Sequence, residues 1–213
     1  MRNLALVWVL AGCLMGCGMG KSSIKSAPPP SISTFTDKRD GRVYKIVKIG
    51  SQVWFAENLN YAAEGSVCYD NKEENCAKYG RLYNWKTALT ACPAGTHLPT
   101  DKEWTTLTDY AGGEKKAGTK LKSSTSWESD EEVPAGTNEY GFSAFPGGFG
   151  NGVDDFKLAD NRSFWWTETE KDHIIAWYRG MDCYHEYVDR DGNYKPRKFS
   201  VRCVLDDEKE KQK

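Results

Sequence analysis

Three histidines, seven cysteines and a scatter of carboxylates are the residues here that could do chemistry. Nucleophilic catalysis needs a Cys or Ser beside a His that an acid orients. Cys183 and His185 stand two apart on a segment that reads as a strand, which would put both side chains on one face. A core or surface pair with no catalytic role has the same spacing. His173 falls in a polar turn and His97 in the run from Cys92 to Thr100. Glu168 and Glu170 flank Thr169 beside Trp165-Trp166; a sugar site or a half-exposed antiparallel strand would give that pattern, and we take the strand. Asp189-x-Asp191-Gly192-Asn193 has the spacing of the start of a calcium loop, but the distal Glu and flanking helices are missing, so it reads as a turn. Cys68 and Cys76 enclose a polar segment, either a local disulfide or a metal site. The second has the wrong spacing for zinc and no histidine nearby. No metal and no cofactor is expected.

The 213 residues carry a formal net charge of −1 with the signs interspersed, which argues against a basic face for nucleic acid. Trp and Tyr are abundant, at 8 and 11. Flat rings can stack on ligands, but a loop-rich domain also fills its core with them. At the N-terminus, Arg2 precedes an apolar run from Leu4 to Leu10 that is too short to span a bilayer and has the form of an export signal. Leu10-Ala11-Gly12-Cys13 and Leu14-Met15-Gly16-Cys17 follow. A Cys after Leu-x-Gly resembles the lipobox of bacterial lipoproteins, which implies acylation at Cys17, or at Cys13 in the alternative frame. An uncleaved anchor or a plain signal cut near Gly18 are the other readings. Export brings an oxidising compartment in which disulfides persist. The chain therefore divides into a signal over 1–17, a Ser/Pro/Lys tether over 18–40, one domain over 41–205 and a charged tail over 206–213.

Within the domain, Val43, Ile46 and Ile49 are spaced for one core, and Gly50-Ser51 turns the chain into Gln52 to Phe55, predicting a hairpin. Leu82, Trp85, Ala88, Leu89 and Cys92 lie at helical spacing, ended by Pro93-Ala94-Gly95. A second helix starts at a capping box, Thr100 with Glu103; it buries Trp104, Leu107 and Ala111 and stops at Gly112-Gly113. Short strands and long loops fill the remainder. Phe164 to Thr169 pairs with Ile174 to Tyr178, and Asp191-Gly192 turns a hairpin between Tyr184–Val188 and Phe199–Val204.

The runs GRVY (41–44), VWFAENL (53–59), YGRLYNW (79–85), CPAGTHLPT (92–100), Glu103-Trp104, NEYGFSA (138–144) and SVRC (200–203) resemble the Fibrobacter succinogenes major paralogous domain, a family of bacterial surface modules. The resemblance spans about Phe35 to Leu205 and carries no established activity onto any residue. The layout is also similar, more distantly, to the C-type lectin-like fold, which formylglycine-generating enzyme-like domains share. That resemblance implies an α+β domain with two helices packed on short antiparallel strands and a long loop-rich second half. It also implies a disulfide from the helix cysteine to the last-strand cysteine, Cys92–Cys203. Cys183 is then left free and buried.

The function these readings imply is non-catalytic: binding or scaffolding by a lipid-anchored protein of the bacterial cell envelope, at the outer membrane or cell surface. Its partners would be the bilayer, through the acyl chains, and a polysaccharide or an envelope protein. Trp127, Trp165, Trp166, Trp177 and Tyr178 are the candidate ligand contacts, as exposed rings of the second half. An exported enzyme of the formylglycine-generating type, or an unrecognised hydrolase, is the alternative. The cysteine pair of the former's copper site has no evident equivalent.

Overall fold

The hairpin that opens the domain forms where alternation and Gly50 predict it. Strand β2 (Val43–Ile49) returns as β3 (Gln52–Phe55), with Ile49 opposite Gln52 across the turn. A preceding strand, β1 (Ile32–Thr36), lies antiparallel on the other side of β2. The structure is a computed structural model that describes residues 30–128, 136–152 and 154–207. Cys13 and Cys17, the expected acylation positions, and the tail from 208 lie outside the described residues, as does the expected 18–40 tether up to residue 29; its remainder is not a plain tether, since Ile32–Thr36 forms β1. No helix among the described residues is long and apolar enough to cross a membrane.

The described residues form an α+β domain with two sheets and four α-helices. The first sheet runs β1-β2-β3-β12-β5, where β12 (Val204–Leu205) is the closing strand and β5 (Thr96–His97) its neighbour. The chain's opening and closing strands thus share one sheet. In the second sheet β8 (Arg162–Glu170) and β9 (Ile175–Asp182) pair antiparallel as expected. They are flanked by β10 (Asp189–Tyr194) on one side and by β11 (Phe199–Ser200) and β4 (Leu82–Tyr83) on the other. Two short strands, β6 (Gly147–Gly150) and β7 (Phe156–Ala159), attach through β6 to β8.

The helices are α1 (Glu73–Tyr79), α2 (Trp85–Ala91), α3 (Asp101–Tyr110) and α4 (Glu114–Leu121). Two helices were expected, so α1 and α4 are corrections. Polar EENCAKY gives no apolar stripe, and Gly118 lowers the propensity of α4. Gly118 is there because a Cβ would stand 2.4 Å from the Tyr187 carbonyl oxygen. Leu82 lies in β4 rather than on α2, whose real start is Asn84, its side chain capping Thr87 N at 2.9 Å. Leu89 and Val43 are exposed. Asp191-Gly192 sits inside β10, paired to Tyr178 and Trp177, and Tyr184–Val188 forms no strand. The turn chemistry of Asp-Gly is overridden by pairing along β9.

Two apolar clusters fill the interior. Tyr44, Ile46 and Phe55 join Tyr83, Trp166, Phe199 and the inner face of α2. Val47, Ile49 and Trp54 join Trp104, Leu107, Phe142, Trp165 and the inner face of α4. Even and odd residues of β2 therefore face different clusters, so the strand is covered on both sides. The same holds for β8, which buries consecutive tryptophans on opposite faces.

Between the clusters lies Arg202, fully buried and without a carboxylate within hydrogen-bond reach among the described residues. Its guanidinium donates to Asn58 Oδ1 at 2.7 and 3.1 Å, to Phe55 O at 3.1 Å, to Phe142 O at 2.6 Å and to Ser143 O at 3.2 Å. Trp165 Nε1 donates to the same Asn58 oxygen at 2.9 Å. Burial pulls the pKa of Arg202 down, to about 9. The acceptors come from the VWFAENL and NEYGFSA runs and the donor from SVRC, so one side chain ties three of the motifs together. Cys92 and Cys203 are disulfide-bonded, joining the end of α2 to the approach of β12 across 111 residues. Cys68 and Cys76 form a second disulfide. Cys183 is free and buried, and burial pushes its thiol pKa up.

Candidate functional site, an acidic cleft at His97

His97 ends β5, three residues before Thr100, the N-cap of α3. Its partners arrive from two directions. Glu103 comes from the first turn of α3 and stands 2.8 Å from His97 Nε2. Asp206 follows β12, held by its N–H to Gly95 O, and stands 2.8 Å from His97 Nδ1. The capping box fixes Glu103: Thr100 N donates to its Oε2 at 2.7 Å, and Glu103 N donates to Thr100 Oγ1 at 3.2 Å. Two oxygens accepting from two ring nitrogens require both nitrogens to carry hydrogen, so the imidazole is held as a cation. The Glu103 bond is the main reason that the His97 pKa rises to about 9; burial opposes it and Asp206 adds to it. Burial alone would raise Glu103, but its bonds from His97 and Thr100 bring its pKa below the ordinary carboxylate range.

The cleft around this triad has a volume of about 630 Å³ and is lined further by Glu168 of β8, Leu205 and Asp207. Glu168 is positioned by its N–H to Pro99 O at 2.9 Å. Four carboxylates thus face one cleft with a single imidazolium among them. The floor is rigid. Asp101, the first residue of α3, is gripped by buried Arg179 at 2.7 Å and by Arg190 at 2.8 Å, which fastens the helix to β9 and β10.

The linkage at His97 has a definite sign. Its pKa is about 9 in the folded chain against an ordinary value of 6.5. The stability it contributes is therefore complete below about pH 6.5 and fades as pH rises through about 9. Comparing denaturation midpoints of wild type and His97→Gln from pH 6 to 10 should show the gap between them closing toward alkaline pH. A gap that stays constant would refute the ionic clamp.

The five aromatic candidates do not assemble into one surface. Trp165 and Trp166 are fully buried and Tyr178 is 7% exposed, which corrects their expected role as exposed contacts. Trp166 Nε1 donates to Tyr83 O at 2.8 Å, and Phe199 packs 4.4 Å from its ring. Trp177 is half-buried and covered by cations, with Arg190 at 3.9 Å and Lys171 at 4.4 Å from the ring centroid. Trp127 packs against the second cluster and donates to Ala144 O at 2.9 Å. The physical reason is the two-sided cover of β8 and β9, which consumes rings that a half-exposed sheet would have left outside.

The remaining constellations take the readings without chemistry, although Cys183 and His185 do not share a strand face. His185 is not on a strand; it turns back onto Asp182 at 2.8 Å, while Cys183 Sγ meets Asn161 Oδ1 at 3.4 Å. Glu168 and Glu170 are exposed, and Glu170 pairs with Lys195 at 2.6 Å. Cys68 and Cys76 form the local disulfide, as expected. Asp206 and Asp207 open a segment that composition reads only as a charged tail. The signal available was His97 with Glu103 six residues on; its other partner, Asp206, lies 109 residues away.

Fold and cleft define a disulfide-closed α+β domain with a carboxylate-lined face. Residues 47–205 match the family model described as Fibrobacter succinogenes major domain, and the chain belongs to that family. Searches of curated proteins and of solved structures gave no match.

Proposed function

We propose that this chain is an acyl-anchored protein of the bacterial envelope whose lectin-like domain binds rather than catalyses, with the His97 cleft receiving a cationic segment of an envelope partner. The observation that carries this reading is the charge of the cleft: Glu103, Glu168, Asp206 and Asp207 against one imidazolium. Such a surface attracts and orients positive groups and repels acidic ones. Acylation at Cys17, or at Cys13, would hold the domain at a bilayer, and two chains would anchor it stably. Two disulfides suit an oxidising compartment. The lectin-like reading draws support from the clamp between α2 and the last strand and from the opening and closing strands sharing a sheet.

The enzymatic alternative finds less support. A general base must be unprotonated near the working pH. His97 has both nitrogens engaged and a pKa of about 9, so it starts out protonated. A polysaccharide partner loses the stacking platform that the buried tryptophans were to supply.

Calorimetric titration of the full chain with hexalysine tests the proposal, with hexaglutamate as the control. Glu168 and Asp207 are exposed, so Glu168→Gln/Asp207→Asn should fold normally. Hexalysine should bind wild type, weaken on added salt, and bind the double variant roughly tenfold less tightly, a loss of about 1.4 kcal/mol. Equal affinity for both proteins, or no binding at all, would overturn it.

A further inference from the structure

A cavity of about 240 Å³ lies where the start of β2, the run after β3 and the end of α1 meet. It shares no lining residue with the His97 cleft. Its floor is fixed, and the polar atoms there are already engaged. Asn58 Nδ2 donates to Tyr79 O at 2.8 Å, while Asn58 Oδ1 accepts from Arg202 and Trp165. Asn60 Nδ2 donates to Cys76 O at 2.9 Å. Gly80, at a φ of 78°, lets the wall close in, since a Cβ there would stand 2.7 Å from Asn58 Cβ.

Tyr44, Arg42 and Glu57 are the lining groups left for a ligand. Tyr44 is buried, and its oxygen accepts from Asn60 N at 3.1 Å, but no described residue accepts the phenol's own hydrogen. Burial pushes the Tyr44 pKa up to about 12, so that hydrogen stays in place. A buried donor without an acceptor is unfavourable, and an acceptor entering the cavity would relieve it. Arg42 and Glu57 bring opposite charges, and each is only loosely paired. The Arg42 guanidinium has Asp40 at 3.9 Å, and Glu57 has Lys45 at 4.0 Å. Lys78, on the same lining, is by contrast held by Asp160 at 3.0 Å.

We infer that this cavity binds a small zwitterion, a free α-amino acid with an apolar side chain. Its carboxylate would accept the Tyr44 hydrogen and face Arg42, and its ammonium would face Glu57. A simple anion would be opposed by Glu57 and a simple cation by Arg42, so a ligand carrying both signs complements the lining. A neutral sugar would leave both charges unanswered. Val43, Ala77 and Phe145 offer apolar contact to the ligand's side chain. A volume below the roughly 300–1,000 Å³ of drug-sized sites suits a single amino acid rather than a peptide.

Calorimetric titration of the full chain with L-valine tests this, beside L-valinamide, which lacks the carboxylate, and N-acetyl-L-valine, which lacks the ammonium. Valine should bind, and each analogue should bind roughly tenfold less tightly or worse. Tyr44→Phe should weaken valine by a similar factor, but it also deprives Asn60 N of its acceptor. Arg42→Gln and Glu57→Gln therefore carry the test, because both side chains reach solvent and the variants should fold normally. Each should weaken valine roughly tenfold, while Arg42→Gln leaves valinamide and Glu57→Gln leaves N-acetylvaline unchanged. No heat with valine up to about 10 mM, equal affinity for all three compounds, or wild-type valine binding by either variant would each sink the inference.

Discussion

Arg202→Ala is expected to be the most damaging single substitution in the domain, costing about 3–5 kcal/mol as measured by urea unfolding at neutral pH. The guanidinium is the shared donor to Asn58, Phe55, Phe142 and Ser143, all within 3.2 Å. Removing it leaves buried carbonyls without a partner and opens a void between the two clusters. Arg202→Lys should recover only part of the loss, because an ammonium cannot serve acceptors arranged around a planar fork. A wild-type midpoint for Arg202→Ala would show that those carbonyls find other donors.

Loss of the long disulfide should come next. Cys92–Cys203 constrains 111 residues, and the chain-entropy model assigns such a loop roughly 4–5 kcal/mol as an upper figure. The double variant Cys92→Ser/Cys203→Ser also places a hydroxyl at the fully buried position 203. Cys68→Ser/Cys76→Ser opens a loop of only 8 residues and should cost distinctly less. Unfolding curves for the two double variants under identical conditions compare the losses directly. Equal losses would mean that strain or residual structure, not loop length, governs these bonds.

Legibility differed by kind of signal. The capping box of α3 and its stripe of Trp104, Leu107 and Ala111 could be read from sequence because local hydrogen bonding and helical period agree there. The pairing of β8 with β9 was equally legible. The helix α4 was not, since its burial rests on Gly118 approaching the Tyr187 carbonyl, a contact between distant segments. Asp191-Gly192 misled because a strong local turn signal yielded to a partner strand. Trp165 and Trp166 misled because adjacent aromatic residues suggest one exposed face when only one side of a strand is assumed to be buried. The cleft itself was nearly invisible. His97 and Asp206 are 109 residues apart, and only the pairing of β5 with β12 brings them together. Where interactions are local the chain announces them; where a sheet must first assemble it does not.

The account depends most on the cleft at His97 being an acidic receptor, and the imidazole reports on it directly. The His97 Cε1 proton should be titrated by NMR in the full chain, with and without saturating hexalysine. Alone, the ring should titrate near 9. With hexalysine bound, lysine ammonium groups compete for Glu103 and Asp206 and raise the local positive potential, so the apparent pKa should fall. An unshifted curve at saturating hexalysine, or a free-state pKa at the ordinary value of about 6.5, would contradict the account.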